Sequence, residues 1–376
     1  MPEDNEIREA TPAEAAATEA AEVAEDADTP VDDDLGDGEV PFRYSITSYG
    51  ADYPVDGLIK RIEDGSIYIP PFQRRFVWDL KRGSRFIESL LLGLPVPGIF
   101  LSKEQPTQKL LVIDGQQRLR TLQYFYRGIF ADSKREFALK GVQDQFENLT
   151  YKTLPDEARR RLDDSILHAT IVKQEEPSTD ESSIYHIFER LNTGGVVLRP
   201  QEIRACIYHG SFQEELKRLN ENAAWRGIYG KVNPRMKDQE LILRFLALYL
   251  EGAAYSQPMK GFLNSFMGNN RELNLYPSSG LTAAFVPTIE LVSRCLGPTA
   301  FKPKTTFNAA VFDSVMVGVA RRIERGPVAN CEMFSNQYRS LVGDAQFTQA
   351  TETGTSAEER VNKRIELATA AFQNVE

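Results

Sequence analysis

Five consecutive residues, Asp114-Gly115-Gln116-Gln117-Arg118, gather a carboxylate, a glycine, two amides and a guanidinium in one short polar stretch. Phosphate chemistry uses these types together. A turn that opens a helix aims unpaired backbone N–H groups at one spot, and the helix dipole adds positive potential there. Gly115 allows close approach to the backbone, and Arg118 offers a forked cationic donor. Asp114 suits either of two tasks, orienting the turn or helping to hold a magnesium ion. Gln116 or Gln117 suits the orientation of water, because an amide both donates to a phosphate oxygen and accepts from water. The candidate catalytic set is therefore Asp114, Gln116, Gln117 and Arg118. The same residues also satisfy a plain structural role, with Asp114 as N-cap, Gly115 as turn and the rest as a solvated first helical turn.

The flanking sequence supplies the elements that would position this set. Residues 110–113 are apolar and β-branched at strand length, while Leu119, Leu122, Phe125 and Tyr126 recur at helical spacing up to Gly128. Upstream, 56–63 reads as a helix and 66–69 as a strand broken by Pro70-Pro71. In Phe72-Gln73-Arg74-Arg75-Phe76-Val77-Trp78 aromatic and basic residues then interleave. Asp79 is placed to cap a helix with Phe86, Ile87, Leu90 and Leu91 on one face, ending at Gly93, and 98–102 is a second strand. Gln73, Arg74 and Arg75 are expected as a second wall of an anion pocket. A helix over 156–162 and a strand over 166–172 follow, with His168 structural.

An acidic linker, residues 175–180, marks the expected boundary between an α/β domain over 41–175 and a mainly helical domain over 176–347. The fold class expected is therefore α+β. Beyond the linker, Ile184, Ile187, Phe188 and Leu191 share a helix face, and Asn192-Thr193-Gly194-Gly195 reads on spacing as a helix stop. Pro200 restarts a helix with Glu202 near its positive end. Residues 236–252 are apolar nearly all round, as in a buried central helix. The later phenylalanines, Phe262, Phe266, Phe285, Phe301, Phe307 and Phe312, read as core. Further helices are expected over 311–323 and 336–341. Over 348–376 a polar loop (348–356) precedes a terminal amphipathic helix (357–372).

The formal charge of -10 divides unevenly. Residues 1–40 hold 15 acidic residues and one basic residue, Arg8, whereas the remainder holds 39 acidic and 43 basic. The leading segment is too charged and too poor in large apolar groups to offset chain entropy, so a disordered acidic tail is expected. The rest is mildly basic, which is compatible with phosphate or nucleic-acid partners. No apolar run of about 18 residues is present, so no membrane span is expected. No secretory signal is read at the start, and Cys206, Cys295 and Cys331 are far apart and unpatterned. That pattern argues for a reducing compartment, against a disulfide frame or zinc site, and hence for a cytoplasmic protein. A G-x-x-x-x-G-K-[ST] loop is absent, so any NTPase here is not of the P-loop kind.

Taken with the intervening Phe86–Gly93 stretch, Pro71-Phe72-Gln73-Arg74 and Ile113-Asp114-Gly115-Gln116-Gln117-Arg118-Leu119 resemble the N-terminal domain of GmrSD-type restriction systems. So do Ile187–Gly195, the segment Leu198-Arg199-Pro200-Gln201-Glu202-Ile203-Arg204, and Arg235-Met236-Lys237-Asp238. The resemblance spans most of residues 45–320. It implies a ParB/sulfiredoxin-like fold for the first domain and binding of a nucleoside triphosphate, in some members hydrolysed. It also implies coupling to nuclease action on DNA in phage defence. Asn192, Thr193, Gly194 and Gly195 then become a second loop facing the nucleotide. Many members carry a following HNH nuclease, which needs histidines; here the histidines are His168, His186 and His209. A separate nuclease subunit is therefore expected as partner. With no cysteine near the turn, sulfiredoxin chemistry is excluded. Two other readings stand beside this one. The first is a non-catalytic ParB-like DNA-binding adaptor, disfavoured by the lack of a Lys/Arg-rich recognition helix after residue 180. The second is a metal-dependent nuclease using Asp114 with Glu88 or Glu202, which nothing in the spacing selects.

Overall fold

Apolar periodicity accounts for most elements of the computed structural model, which describes residues 45–70, 76–104, 107–131, 135–176, 182–191 and 198–376. The acidic tail lies outside the described residues. The chain divides into two compact units, Glu39–Gln213 with Met267–Glu272, and Glu214–Phe266 with Leu273–Glu376. The fold is α+β, a five-stranded sheet followed by helices.

The first unit opens with β1 (Ser45–Pro54), α1 (Val55–Glu63), β2 (Ile67–Tyr68), α2 (Leu80–Leu91), β3 (Ile99–Lys103), β4 (Leu110–Asp114) and α3 (Gln116–Arg127). It continues through α4 (Asp156–Asp164), β5 (Ile166–Glu176), α5 (Ser182–Leu191) and α6 (Pro200–Ile207). The strand order is β1-β5-β3-β4-β2. The outer pair β1–β5 and the β3–β4 hairpin are antiparallel, whereas β3–β5 and β2–β4 are parallel. In β4, Leu110 and Val112 pack with Leu58, Ile99, Leu101 and Leu119 on one face of the sheet. Leu111 and Ile113, also buried, occupy the alternate positions. A strand covered on both faces is why the run reads as continuously apolar. Next to it lies a helical layer, in which Ile59, Ile87, Leu90, Leu122, Phe125 and Leu162 form a second cluster. Burying each such side chain contributes about 1.5–3 kcal/mol.

Helix ends follow the expected chemistry. Asp79 caps α2, accepting from Arg82 N at 2.6 Å. At the other end Leu94 N donates to Ser89 O and Gly93 N to Leu90 O, with Gly93 at φ 69°. The ten-residue edge strand β1 went unforeseen, because its largely exposed SITSYGADYP carries no period-two burial pattern. The expected boundary near 175 falls within the first unit rather than between units, since Glu175 and Glu176 end β5 and α5 packs against β4 and β5. Residues 177–181 lie outside the described residues.

The chain then runs through α7 (Ser211–Asn220), α8 (Ala223–Tyr229), α9 (Lys237–Glu251), α10 (Met259–Asn269), α11 (Ser278–Leu296), α12 (Ala309–Ile323), α13 (Cys331–Val342), α14 (Ala345–Glu352) and α15 (Glu358–Phe372). In the second unit, α12 packs against α9, α11 and α15. Phe285, Phe301, Phe307 and Phe312 are buried around Trp225, as core residues should be. Asp238, from the Arg235–Asp238 stretch, is fully buried and accepts from Asn220 Nδ2, Arg226 Nη1 and Asn233 N.

Two expectations are corrected in this unit. Cys295 and Cys331 form a disulfide, because the end of α11 and the start of α13 bring their Cα atoms to 4.9 Å. A separation of 36 residues concealed the pairing, and the cysteines therefore do not indicate a reducing compartment. Residues 348–356, expected as a polar loop, are helical as far as Glu352, where Phe347 and Ala350 bury one face of α14 and Asp344 caps it.

Candidate functional site

The polar turn forms where β4 hands over to α3. Asp114 is the last residue of the strand, Gly115 the N-cap and Gln116 the first residue of the helix. Gly115 takes φ 101° and ψ 7°, the left-handed region that glycine enters without penalty. A Cβ there would lie 2.9 Å from Ile99 Cβ and closer still to Ile99 Cγ2. Glycine is thus required both by conformation and by space. It also brings no capping side chain, so Gly115 does not itself supply the acceptor that Ser, Thr, Asn or Asp would at that position. Asp114, weighed from sequence as the N-cap, instead sits one residue earlier. Its carboxylate accepts from Arg118 Nη2 at 2.7 Å.

This ion pair is the main electrostatic feature of the turn. The Arg118 side chain is 16% exposed and that of Asp114 41%. Anchoring comes from below, where Leu119, Leu122 and Phe125 on the buried face of α3 hold the first turn in place. Nε of Arg118 is buried and has no hydrogen-bond partner among the described residues, and the same holds for Nε of Arg120. Arg120 is a second guanidinium on the opening turns of α3 and was not among the candidate residues expected from the sequence. Its only signal was a basic residue two places after Arg118.

Gln116 and Gln117 diverge. Gln116 is buried. Gln117 reaches across 40 residues of sequence, its Oε1 accepting from Val77 N at 3.0 Å and from Trp78 N at 3.4 Å. The turn is therefore joined to the chain that follows the arginine-bearing segment. Phe76 strengthens this join by packing edge-on against Tyr124 of α3, with ring centroids 5.0 Å apart.

The structure brings Asp114, Gly115, Gln116, Gln117 and Arg118 together. Gln73, Arg74 and Arg75, expected as the second wall, lie outside the described residues, as do Asn192, Thr193, Gly194 and Gly195. What is described is their neighbours. Phe76 and Val77 touch α3, and α5, whose last residue precedes Asn192, packs on β4.

The alternative nuclease carboxylates have other duties. Glu88 Oε1 accepts from Gln143 N at 2.7 Å, and Glu202 completes a capping box on α6 by accepting from Arg199 N at 2.7 Å. Among the described residues no group of three or more His, Cys, Asp or Glu side chains gathers as a metal-ligand set. His168 Nδ1 pairs with Asp52 Oδ1 at 2.8 Å across β1 and β5, and His186 faces Glu189 one helical turn away. Cys206 is buried, and burial pushes its thiol well above the ordinary range. No helix among the described residues is long and apolar enough to cross a membrane.

No curated protein matches the chain. A family model does match, over a shorter stretch than the sequence resemblance suggested, since it ends before most of the helical unit. Residues 55–209, which contain the β4–α3 turn and most of the sheet that carries it, match the GmrSD restriction endonuclease N-terminal domain.

Proposed function

We propose that the β4–α3 turn binds the phosphates of a nucleoside triphosphate. In this reading the protein is the nucleotide-responsive sensor or switch of a restriction system, acting on DNA with a separate nuclease subunit. The observation that carries the proposal is the conjunction at Gly115. A left-handed glycine opens α3 and brings no capping side chain of its own to the positive end of the helix, while Arg118 stands beside it on a well-packed helix turn. The family match supports the restriction context.

Arg118 donates to Asp114 through one N–H, and a guanidinium carries five. A triphosphate oxygen competes with Asp114 for that donor. The competition is feasible because a partly exposed ion pair is worth only about 0.2–1 kcal/mol, whereas hydrogen bonds to charged groups contribute about 1.5–3 kcal/mol. Once displaced, the Asp114 carboxylate becomes available to a cation. One carboxylate beside phosphate oxygens is a donor set that suits magnesium, which keeps several waters and takes the remainder from substrate. A bound magnesium ion would neutralise charge developing on the phosphates. In this reading Gln116, the first residue of α3, is the amide that orients an attacking water.

The test is a thermal-shift screen with ATP, GTP, CTP and UTP, with and without magnesium, on the wild type and Arg118→Ala. The proposal expects at least one nucleotide to raise the melting temperature of the wild type and to leave Arg118→Ala unmoved. Equal shifts in both proteins, or none in the wild type, would remove it.

A further inference from the structure

We infer that Gln117 is a positioning residue, a brace that fixes Val77 and Trp78 against the first turn of α3, and that it is not the amide that orients water. The inference rests on the nucleotide reading of the turn. It is carried by the two hydrogen bonds at Gln117 Oε1, from Val77 N at 3.0 Å and Trp78 N at 3.4 Å. An amide carbonyl oxygen has two lone pairs, and two backbone donors occupy both. An acceptor already filled in this way has nothing left to offer an attacking water.

The brace joins rigid parts at both ends. Gln117 is the second residue of α3, with Leu119 and Leu122 fully buried behind it. On the other side, Trp78 packs edge-on against Phe86 of α2 with centroids 5.7 Å apart, and the Arg82 guanidinium lies 5.2 Å from its ring centroid. The next residue, Asp79, caps α2. A shift of the turn at Gly115 is therefore transmitted through one amide side chain to the indole of Trp78 and the start of α2. Occupancy of the turn should register at Trp78, which carries no atom of the proposed phosphate site.

Hydrogen exchange on the full chain tests the inference, using Gln117→Met, which keeps the length of the side chain and removes the acceptor, and Gln117→Glu, which restores an acceptor for both N–H groups. In the absence of nucleotide, exchange at the Val77 and Trp78 amides should rise roughly five- to tenfold in Gln117→Met and stay near wild type in Gln117→Glu. The amides of the α3 interior, from Arg120 to Tyr126, should be unchanged in both, which excludes general unfolding. Slow exchange at Val77 and Trp78 in Gln117→Met would overturn the brace. ATP turnover divides the two roles in a different way. A brace raises KM with the loss of protection, whereas a water-orienting amide lowers kcat at unchanged KM, and that second outcome would also overturn the inference. A wild type that binds no ATP removes the nucleotide reading and still leaves the exchange comparison to decide the brace.

Discussion

Two arginine–aspartate groups in this chain use the same chemistry in opposite settings. Arg118 and Asp114 meet at 2.7 Å at the rim of the sheet unit, with the carboxylate 41% exposed. In the helical unit Asp313 is fully buried on α12. It is held by Arg244 of α9 through Nε at 3.2 Å and Nη2 at 2.6 Å, and by Arg364 of α15 at 3.3 Å. A buried group of this kind is costly to assemble and far more costly to break, because removing one member strands the others in low dielectric. A partly exposed pair costs little to break, because water and a competing anion replace the lost partner. The difference separates a fastener from an exchangeable contact, and burial rather than residue type decides which is which.

The sharpest way to break this comparison is Asp313→Ala. It should destabilise the protein by about 3–5 kcal/mol, seen as a lower midpoint in urea, whereas Asp114→Ala should shift the same curve by no more than about 1 kcal/mol. Similar costs in the two variants would show that burial is not the deciding variable. Next in size is the Cys295–Cys331 bridge between α11 and α13. Replacing both cysteines by serine should cost about 2–4 kcal/mol in urea, and nucleotide binding by the sheet unit should remain. A smaller loss, about 1–3 kcal/mol, is expected from Gly115→Ala, which forces a side chain into φ 101° against Ile99. Here binding should fall together with stability, a pairing that Cys295→Ser/Cys331→Ser should not show.

The smallest expected effect is a pH dependence at Glu104. Burial pushes its carboxyl up, but hydrogen bonds from Tyr68 and Thr107 and the nearby Arg271 guanidinium outweigh burial and hold it below its ordinary value of 4.5. A depressed folded value means stability that is complete above about the ordinary value and is lost as pH falls through the folded one. Glu104→Gln should therefore flatten the acid limb of the stability curve below pH 4.5 and leave neutral pH behaviour dependent only on the lost pairing. An unchanged acid limb would contradict the assignment.

The elements around the turn were legible in the sequence because several local signals agreed there. Asp79 and Gly93 bracket α2, Gly128 ends α3, and Leu119, Leu122 and Phe125 mark its buried face. Strand β1 was not legible, since an exposed edge strand lacks the alternation that burial imposes. The Cys295–Cys331 bridge was invisible for a different reason, as tertiary packing creates it with no local pattern. Within the site, the residue types were readable but their partners were not. That Arg118 turns back onto Asp114 depends on the left-handed Gly115 that joins strand to helix between them, and residue types alone do not fix it. That Gln117 grips Val77 and Trp78 depends on a contact across 40 residues, which periodicity does not encode.

The central claim is that Arg118 exchanges its aspartate for a phosphate. Isothermal titration calorimetry of ATP with magnesium into the wild type, Arg118→Ala and Asp114→Asn measures this exchange directly. Saturable binding is expected in the wild type and none in Arg118→Ala. With magnesium omitted, Asp114→Asn should bind more tightly than the wild type, because its guanidinium is no longer held by a carboxylate. Undiminished affinity in Arg118→Ala, or no binding by any of the three proteins, would contradict the account.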